Sequence, residues 1–239
     1  VRDRGIFIAE GYGNQTWDLE PTLDRRVRHL YEDSKQCIWA ELPASFVDGI
    51  PRAVNVKSQS KDRRNYILHP PTGETLEEAS VAEMKTLRDK HAGAYNAQII
   101  VSDGLNAFAI TDDDHLSPYL ASLRDALAEL GYRASPEHIV VEGGRVRIGY
   151  RIGEILYGEL PDKESHRAIL HVIGERPGSG HHAFSAYITA PQVRTWSRTG
   201  LVDHNITKVV SGIADTARLP ALGAADTARI VKELAPPLG

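Results

Sequence analysis

Two hydrophobic patterns alternate along this chain, and together they predict an α/β fold. Short apolar runs predict buried strands at 97–101, 139–141, 168–174 and 186–189. Apolar residues at helical spacing predict helices that begin near residue 21, cover 116–130, and lie at about 224–235. A polar–apolar alternation predicts one further, half-buried strand at 54–58. Strands that alternate with helices are typical of a mostly parallel sheet with flanking helices.

A further helix is predicted to begin at Thr75. The segment Thr75-Leu76-Glu77-Glu78 has the pattern of a capping box, in which a hydroxyl and a carboxylate satisfy free backbone N–H groups at the helix start. Gly93 is a suitable residue to end this helix. Farther along, a glycine turn follows the strand at 139–141, and a short helix is predicted at 152–156.

These elements predict three regions. Residues 1–50 form an N-terminal extension with a short strand at 6–9, a turn at 11–14 and an amphipathic helix. Residues 51–95 form a connecting segment that ends in a helix. Residues 96–239 contain most of the predicted strands and form the main α/β domain.

Composition narrows the class of protein. The 239 residues can bury a substantial core, and the net charge of −4 does not favour a nucleic-acid partner. No stretch approaches the roughly 18 consecutive apolar residues that span a bilayer, and the first residues lack a signal-peptide pattern. Cys37 is the only cysteine, which suits a reducing cytosol, and we interpret it as a buried structural thiol. Because the only methionine is Met84, we expect a piece of a longer polypeptide or a processed chain.

The stretch 168–178 is the first candidate for ligand contact. It is an apolar run that ends in Glu175-Arg176, and Pro177 with its flanking glycines restricts the turn. Ligands of open α/β sheets bind just beyond the carboxyl ends of the strands, so we expect Glu175 at a binding site. Asp103 follows the strand at 97–101 in the same way, and its carboxylate would suit a polar ligand.

Other motifs are better explained without a cofactor or a metal ion. Residues 178–183 match a dinucleotide fingerprint, but that motif requires a helix to follow, and the next segment is strand-like. We interpret His181-His182 as surface loop residues and Asp112-Asp113-Asp114 as a helix start rather than a cation site. The basic residues from Lys57 to Arg64 are interpreted as a solvated loop face rather than a phosphate or partner site. We therefore predict no catalytic and no metal-binding residue.

Three motifs, in order, resemble one known family. They are Ile99-Ile100-Val101-Ser102-Asp103-Gly104-Leu105, Gly144-Arg145-Val146-Arg147-Ile148 with the helix at 152–156, and Ile173-Gly174-Glu175-Arg176-Pro177-Gly178. Their order and spacing resemble the small subunit of ethanolamine ammonia-lyase, an adenosylcobalamin-dependent enzyme. The resemblance covers about residues 40–239 and leaves an extra loop at 161–167. Residues 1–40 lie outside it, which suggests the hypothesis that a large-subunit-like region precedes them.

The resemblance implies a Rossmann-like domain that encloses the cofactor together with a barrel-shaped large subunit. In this family the cobalt–carbon bond breaks homolytically, and the resulting radical removes hydrogen from ethanolamine or a related vicinal amino alcohol, with release of ammonia and an aldehyde. The resemblance assigns the substrate site and the radical chemistry to the large subunit. It also implies a hetero-oligomer with no nucleic-acid or membrane partner, in the cytoplasm or in a bacterial microcompartment.

The resemblance further implies which residues hold the cofactor. The family's cobalamin contacts correspond to Val146, Glu175 and Asn205, and we expect Arg145 and Asp103 beside them. A carboxylate at Glu175 can accept hydrogen bonds from corrin amides or a ribose hydroxyl. Asn205 stands where the family has a cysteine. This departure favours an alternative, a non-catalytic assembly module that no longer binds cobalamin.

Overall fold

The computed structural model describes residues 19–112, 115–178 and 182–235. The predicted strand at 6–9 and turn at 11–14 therefore lie outside the described residues.

Six strands form one sheet within the described part of the chain. They are β1 (Ala53–Lys57), β2 (Ala97–Ser102), β3 (Ala134–Glu142), β4 (Ala168–Gly174), β5 (Phe184–Thr189) and β6 (Lys208–Ile213). Their order across the sheet is β1-β3-β2-β4-β5-β6. The first four strands are parallel, whereas β5 pairs antiparallel with both β4 and β6.

The α/β class is confirmed and four of the six strands run parallel, but the sheet is mixed and does not confirm the Rossmann-like description. The sheet is mixed, because the chain returns directly from β4 into β5 without the helical crossover that a parallel pair requires. The strand order also differs from the 3-2-1-4-5-6 order of the dinucleotide-binding fold.

Helices cover both faces of the sheet. They are α1 (Pro21–Trp39), α2 (Ala44–Gly49), α3 (Arg63–Leu68), α4 (Glu78–His91), α5 (Phe108–Thr111), α6 (Leu116–Glu129), α7 (Val146–Tyr157), α8 (Val193–Trp196) and α9 (Pro220–Leu234). Two 3₁₀ turns lie at Pro70–Glu74 and His204–Ile206. Helix α4 packs beside α7, and α6 packs beside α9.

The two faces form two separate hydrophobic cores. Along β2, Ile99 and Val101 belong to the core under α6 and α9, whereas Ile100 belongs to the core under α4 and α7. All six residues of β2 are buried, as expected for a central strand with helices on both sides. The apolar runs that predicted β2, β3, β4 and β5 are thus explained by burial on both faces.

The helix predicted from Thr75 begins three residues later than its capping-box pattern indicates. Helix α4 starts at Glu78, and its N-cap Glu77 makes no side-chain cap bond. The Thr75 carbonyl instead accepts from the Gln59 N–H at 2.8 Å, and Leu76 is buried. Pairing with the segment after β1 therefore holds these residues extended.

Two other differences concern the second half of the chain. The short helix predicted at 152–156 is the second half of α7, which already begins at Val146. Strand β6 was not predicted, because only its Val210 and Ile213 are buried and the apolar signal of this edge strand is weak.

Helix α7 lies close to the sheet because two of its glycines face that surface. A Cβ atom at Gly149 would lie 2.8 Å from Nδ1 of His171 on β4. A Cβ atom at Gly153 would overlap the ring of Trp196, a fully buried residue of α8. The position of α7 therefore depends on these two small residues.

We expect Gly153→Ala to lower the free energy of unfolding by about 1–3 kcal/mol, because the added methyl group overpacks the core. Gly49→Ala is the matched control, since a Cβ atom at Gly49 meets nothing within 4 Å. Urea denaturation followed by circular dichroism measures both variants. Equal stability of the two variants would show that close packing of α7 is not required.

Candidate functional site

A cleft opens at the carboxyl ends of β2 and β4. The chain leaves β2 through α6 on one face to reach β3, and it leaves β3 through α7 on the other face to reach β4. The connections after the neighbouring strands β2 and β3 therefore pass to opposite faces, and open α/β sheets bind ligands at the carboxyl ends of such strands. The cleft has a volume of about 260 Å³ and is lined by Tyr66, Glu74, Gly104, Leu105, Arg145, Val146, Arg147, Ile173, Gly174, Glu175, Arg176, Tyr187 and His204.

Arg145 is the N-cap residue of α7 and contributes a cation to the cleft. Its Nη2 donates to the Tyr66 carbonyl at 2.9 Å, and its guanidinium lies 4.5 Å from the centre of the Tyr66 ring. Its Nε is buried without a hydrogen-bond partner, and no carboxylate of the described residues pairs with it. Arg145 thus has unused donor capacity beside the cleft.

Arg147 differs from Arg145 because two carboxylates already neutralise it. Its Nε donates to Asp203 at 3.1 Å and its Nη1 donates to Glu74 at 3.2 Å. These bonds, to Asp203 first, raise the pKa of Arg147 above its ordinary value. They also attach the start of α7 to the two 3₁₀ turns.

Glu175 follows β4 directly and is partly exposed to the cleft. Its backbone N–H donates to the Ala183 carbonyl at 3.0 Å, and Ser185 Oγ donates to its carboxylate. The alternative of a surface salt bridge with Arg176 is not seen, since no ion pair joins these two described residues. Burial, and then the charge of Glu175, raise the pKa of nearby Tyr187.

Val146 is the first residue of α7, and the buried His171 holds it in place. The Val146 carbonyl lies 3.3 Å from His171 Nδ1, and Ser102 Oγ lies 2.7 Å from His171 Nε2. Burial lowers the pKa of His171 to about 4, so the imidazole is neutral at physiological pH. A neutral ring can donate from Nδ1 and accept at Nε2, which suits both contacts.

Asp103 lies behind the wall of this cleft rather than in it. It is 2 % exposed, and its carboxylate accepts from Arg63 Nη1 at 2.7 Å and from the Gly144 N–H at 3.1 Å. Burial raises the pKa of Asp103 to about 6, and Arg63 opposes that rise, so the carboxylate is ionised at neutral pH. The geometry gives Asp103 a positioning role.

The interpretation of Arg63 as part of a solvated loop face is wrong. Arg63 is 6 % exposed, and its Nε donates to the Ile38 carbonyl at 2.6 Å. Asp62 caps α3 by accepting from the Asn65 N–H at 2.7 Å. The Asp-x-x-Asn cap was the sequence signal that could have indicated a helix here, with one basic residue turned inward.

Asn205 does not line the cleft. It is exposed in the turn His204–Ile206, next to His204, whose Nδ1 lies 2.9 Å from the Tyr150 hydroxyl. Tyr66, Tyr187 and His204 line the cleft without having been predicted. They come from three distant segments, and none belongs to a local motif.

Comparison with known proteins identifies the family to which the chain belongs. The sequence profile of the ethanolamine ammonia-lyase light chain matches residues 6–236. The chain belongs to the ethanolamine ammonia-lyase light-chain family. The match includes most of residues 1–40, which were expected to lie outside the resemblance.

Individual relatives agree with this family. The chain is 37 % identical over 200 residues to an ethanolamine ammonia-lyase small subunit of Pseudomonas paraeruginosa, and the match covers 78 % of this chain and 66 % of that protein. It is 38 % identical to the small subunit of Pseudomonas aeruginosa with the same coverage. An Azotobacter vinelandii small subunit is 32 % identical over 63 % of this chain and 54 % of its own length. The chain thus spans less than two thirds of these relatives. No helix of its described residues is long and apolar enough to cross a membrane.

The buried ion pair between Arg63 and Asp103 can be tested directly. We expect Asp103→Asn to lower the free energy of unfolding by about 3–5 kcal/mol, because Arg63 then remains buried without a compensating charge. Asp125→Asn, at an exposed position of α6, should change stability by less than about 0.5 kcal/mol. Denaturant midpoints at pH 7 measure both. A small effect of Asp103→Asn would contradict the positioning role.

Proposed function

We propose that this chain is the cobalamin-holding small subunit of an ammonia-lyase that acts on ethanolamine or a related vicinal amino alcohol. The chain belongs to the ethanolamine ammonia-lyase light-chain family, and one structural observation supports the proposal. Val146 and Glu175 lie 29 residues apart in sequence, and they meet with Arg145 in one cleft at the carboxyl ends of β2 and β4.

The donors and acceptors of the cleft suit the edge of a corrin. The primary amides of a corrin both donate and accept hydrogen bonds. Glu175 can accept from an amide NH₂ group, and Arg145 can donate to an amide carbonyl or a phosphate oxygen. The free N–H groups at the start of α7 favour the same carbonyl or phosphate oxygens. The unpartnered Nε of Arg145 gives this fit a specific unused donor.

The size of the cleft supports a site shared with another chain. Pockets that enclose a drug-sized molecule measure roughly 300–1,000 Å³. This cleft measures about 260 Å³, whereas adenosylcobalamin is much larger than a drug-sized molecule. We therefore propose that this chain contacts one side of the cofactor and that a large subunit covers the rest.

The proposed role of this chain is to bind and orient the cofactor. When bound, adenosylcobalamin supplies a cobalt–carbon bond whose homolysis starts the radical deamination. Arg147 is already engaged with Glu74 and Asp203, and we assign no catalytic acid or base to this chain. The catalytic residues belong, in this proposal, to the large subunit.

The proposed partner is that large subunit, in a hetero-oligomer without nucleic acid or membrane. Helix α1 exposes Tyr31 at 62 % and Trp39 at 55 % of their surface. Aromatic side chains are enriched at protein interfaces, so this face of α1 is the proposed contact. The proposed location is the cytoplasm or a bacterial microcompartment.

We expect Glu175→Ala to weaken adenosylcobalamin binding to the purified complex by roughly 10–100-fold, since hydrogen bonds to a charged group are worth about 1.5–3 kcal/mol. Spectral titration with the cofactor measures this affinity. Glu83→Ala, an exposed carboxylate on α4, is the control and should bind as the wild type does. Unchanged affinity in Glu175→Ala would contradict the assignment of this cleft.

The second candidate function is an assembly module that has lost cobalamin binding. It is favoured by Asn205, which replaces the family's cysteine and lies outside the cleft. The same titration separates the two functions. A complex that assembles normally but binds no cobalamin at any concentration would support the assembly module.

A further inference from the structure

Three potential metal ligands, none of which lines the cleft, converge beside α1. Asp33 and Cys37 lie four residues apart on α1, so both face the same side of the helix. His182 reaches them from the connection between β4 and β5. Its Nε2 lies 3.5 Å from Cys37 Sγ and 3.1 Å from Asp33 Oδ1, and Cys37 Sγ lies 3.9 Å from Asp33 Oδ2.

A fourth residue fixes the orientation of His182. Asp112, the C-cap residue of α5, places Oδ2 at 2.7 Å from His182 Nδ1. The Phe108 ring stacks on the imidazole with a centroid distance of 5.7 Å. Metal-binding histidines typically donate their second N–H to a carboxylate in this way, which directs the free nitrogen at the ion. His182 is a loop residue, as the sequence suggested, but its side chain is only 29 % exposed, and His181 lies outside the described residues.

Acidic groups contact both nitrogens of the His182 imidazole. Asp33 Oδ1 lies 3.1 Å from Nε2, and Asp112 Oδ2 lies 2.7 Å from Nδ1. Two carboxylates and a thiol surround one imidazole, and a divalent cation would compensate this excess of acidic groups.

We propose that Asp33, Cys37 and His182 bind Zn²⁺, with Asp112 orienting His182 and water as the fourth ligand. A tetrahedral Zn²⁺ separates bound sulfur from nitrogen by about 3.6 Å, nitrogen from oxygen by about 3.4 Å and sulfur from oxygen by about 3.6 Å. The three distances in this cluster, 3.5, 3.1 and 3.9 Å, are close to these values. The two distances to Asp33 involve different oxygens, and one ligand atom from each of the three residues lies within 4.8 Å of the other two.

The mixed ligand set favours zinc over other divalent cations. Thiolate and imidazole are poor ligands for Mg²⁺ and Ca²⁺, which prefer oxygen. The ion would join α1 to the connection that begins at Glu175, since His182 lies seven residues after it. The site would therefore anchor the N-terminal helix over the carboxyl edge of the sheet.

The test uses the purified complex, stripped with a chelator and titrated with Co²⁺ as a spectroscopic substitute for Zn²⁺. We expect one Co²⁺ per copy of this chain, with a thiolate-to-cobalt charge-transfer band that excess Zn²⁺ removes. Cys37→Ser should abolish the band, and His182→Gln should abolish stoichiometric binding. Asp112→Asn should weaken binding by roughly 10–100-fold, as for other residues that orient a metal-binding histidine.

Two controls separate this site from other carboxylates and histidines. Glu32→Gln changes a neighbouring acid on α1, and His69→Gln removes an exposed histidine. Both should bind Co²⁺ as the wild type does. No stoichiometric Co²⁺ in the wild type, or a band unchanged in both Cys37→Ser and Asp112→Asn, would overturn the proposal. If circular dichroism shows that Cys37→Ser does not fold, the Co²⁺ spectrum of the wild type and the Co²⁺ affinity of Asp112→Asn still test the proposed site.

Discussion

The buried ion pair between Arg63 and Asp103 is the interaction on which the geometry of the cleft depends. Asp103 directly follows β2 and also accepts from the Gly144 N–H, just before α7. Arg63 begins α3 and donates to the Ile38 carbonyl near the end of α1. One pair of side chains therefore joins α1, β2, α3 and the turn before α7. A buried ion pair contributes little net stability, so its value here lies in fixing these four segments relative to one another.

Tyr66 lines the cleft and lies between Arg63 of the ion pair and Arg145. Its ring lies 4.6 Å from the Arg63 guanidinium and 4.5 Å from that of Arg145. Its hydroxyl donates to the Gly144 carbonyl at 3.2 Å. At the other wall, the loop after β2 lies directly on Gly174, because a Cβ atom there would collide with the backbone at Asp103 and Asn106. The cleft is thus bounded by contacts that leave little room for substitution.

The sequence predicted those parts of the fold that depend on local pattern. Strands β2 and β4 are continuous apolar runs, and ligands bind beyond the carboxyl ends of such strands, which explains why Glu175 was expected at a binding site. Val146 was assigned through the family resemblance alone. Asp103 was expected at a ligand because nothing local indicates its partner, 40 residues earlier. The burial of Arg63 could not be predicted for the same reason, because its partner is distant in sequence. The capping box at Thr75 did not form because pairing with a distant segment outweighed a local preference.

We propose that the cleft formed by β2, β4 and the start of α7 contacts the cobalamin. Hydrogen–deuterium exchange of the assembled complex, with and without adenosylcobalamin, measures this contact. We expect slower exchange with cofactor at the amides of 104–105, 145–147 and 173–176, and unchanged exchange in α4. Cofactor-dependent protection that leaves those three segments unchanged would contradict it.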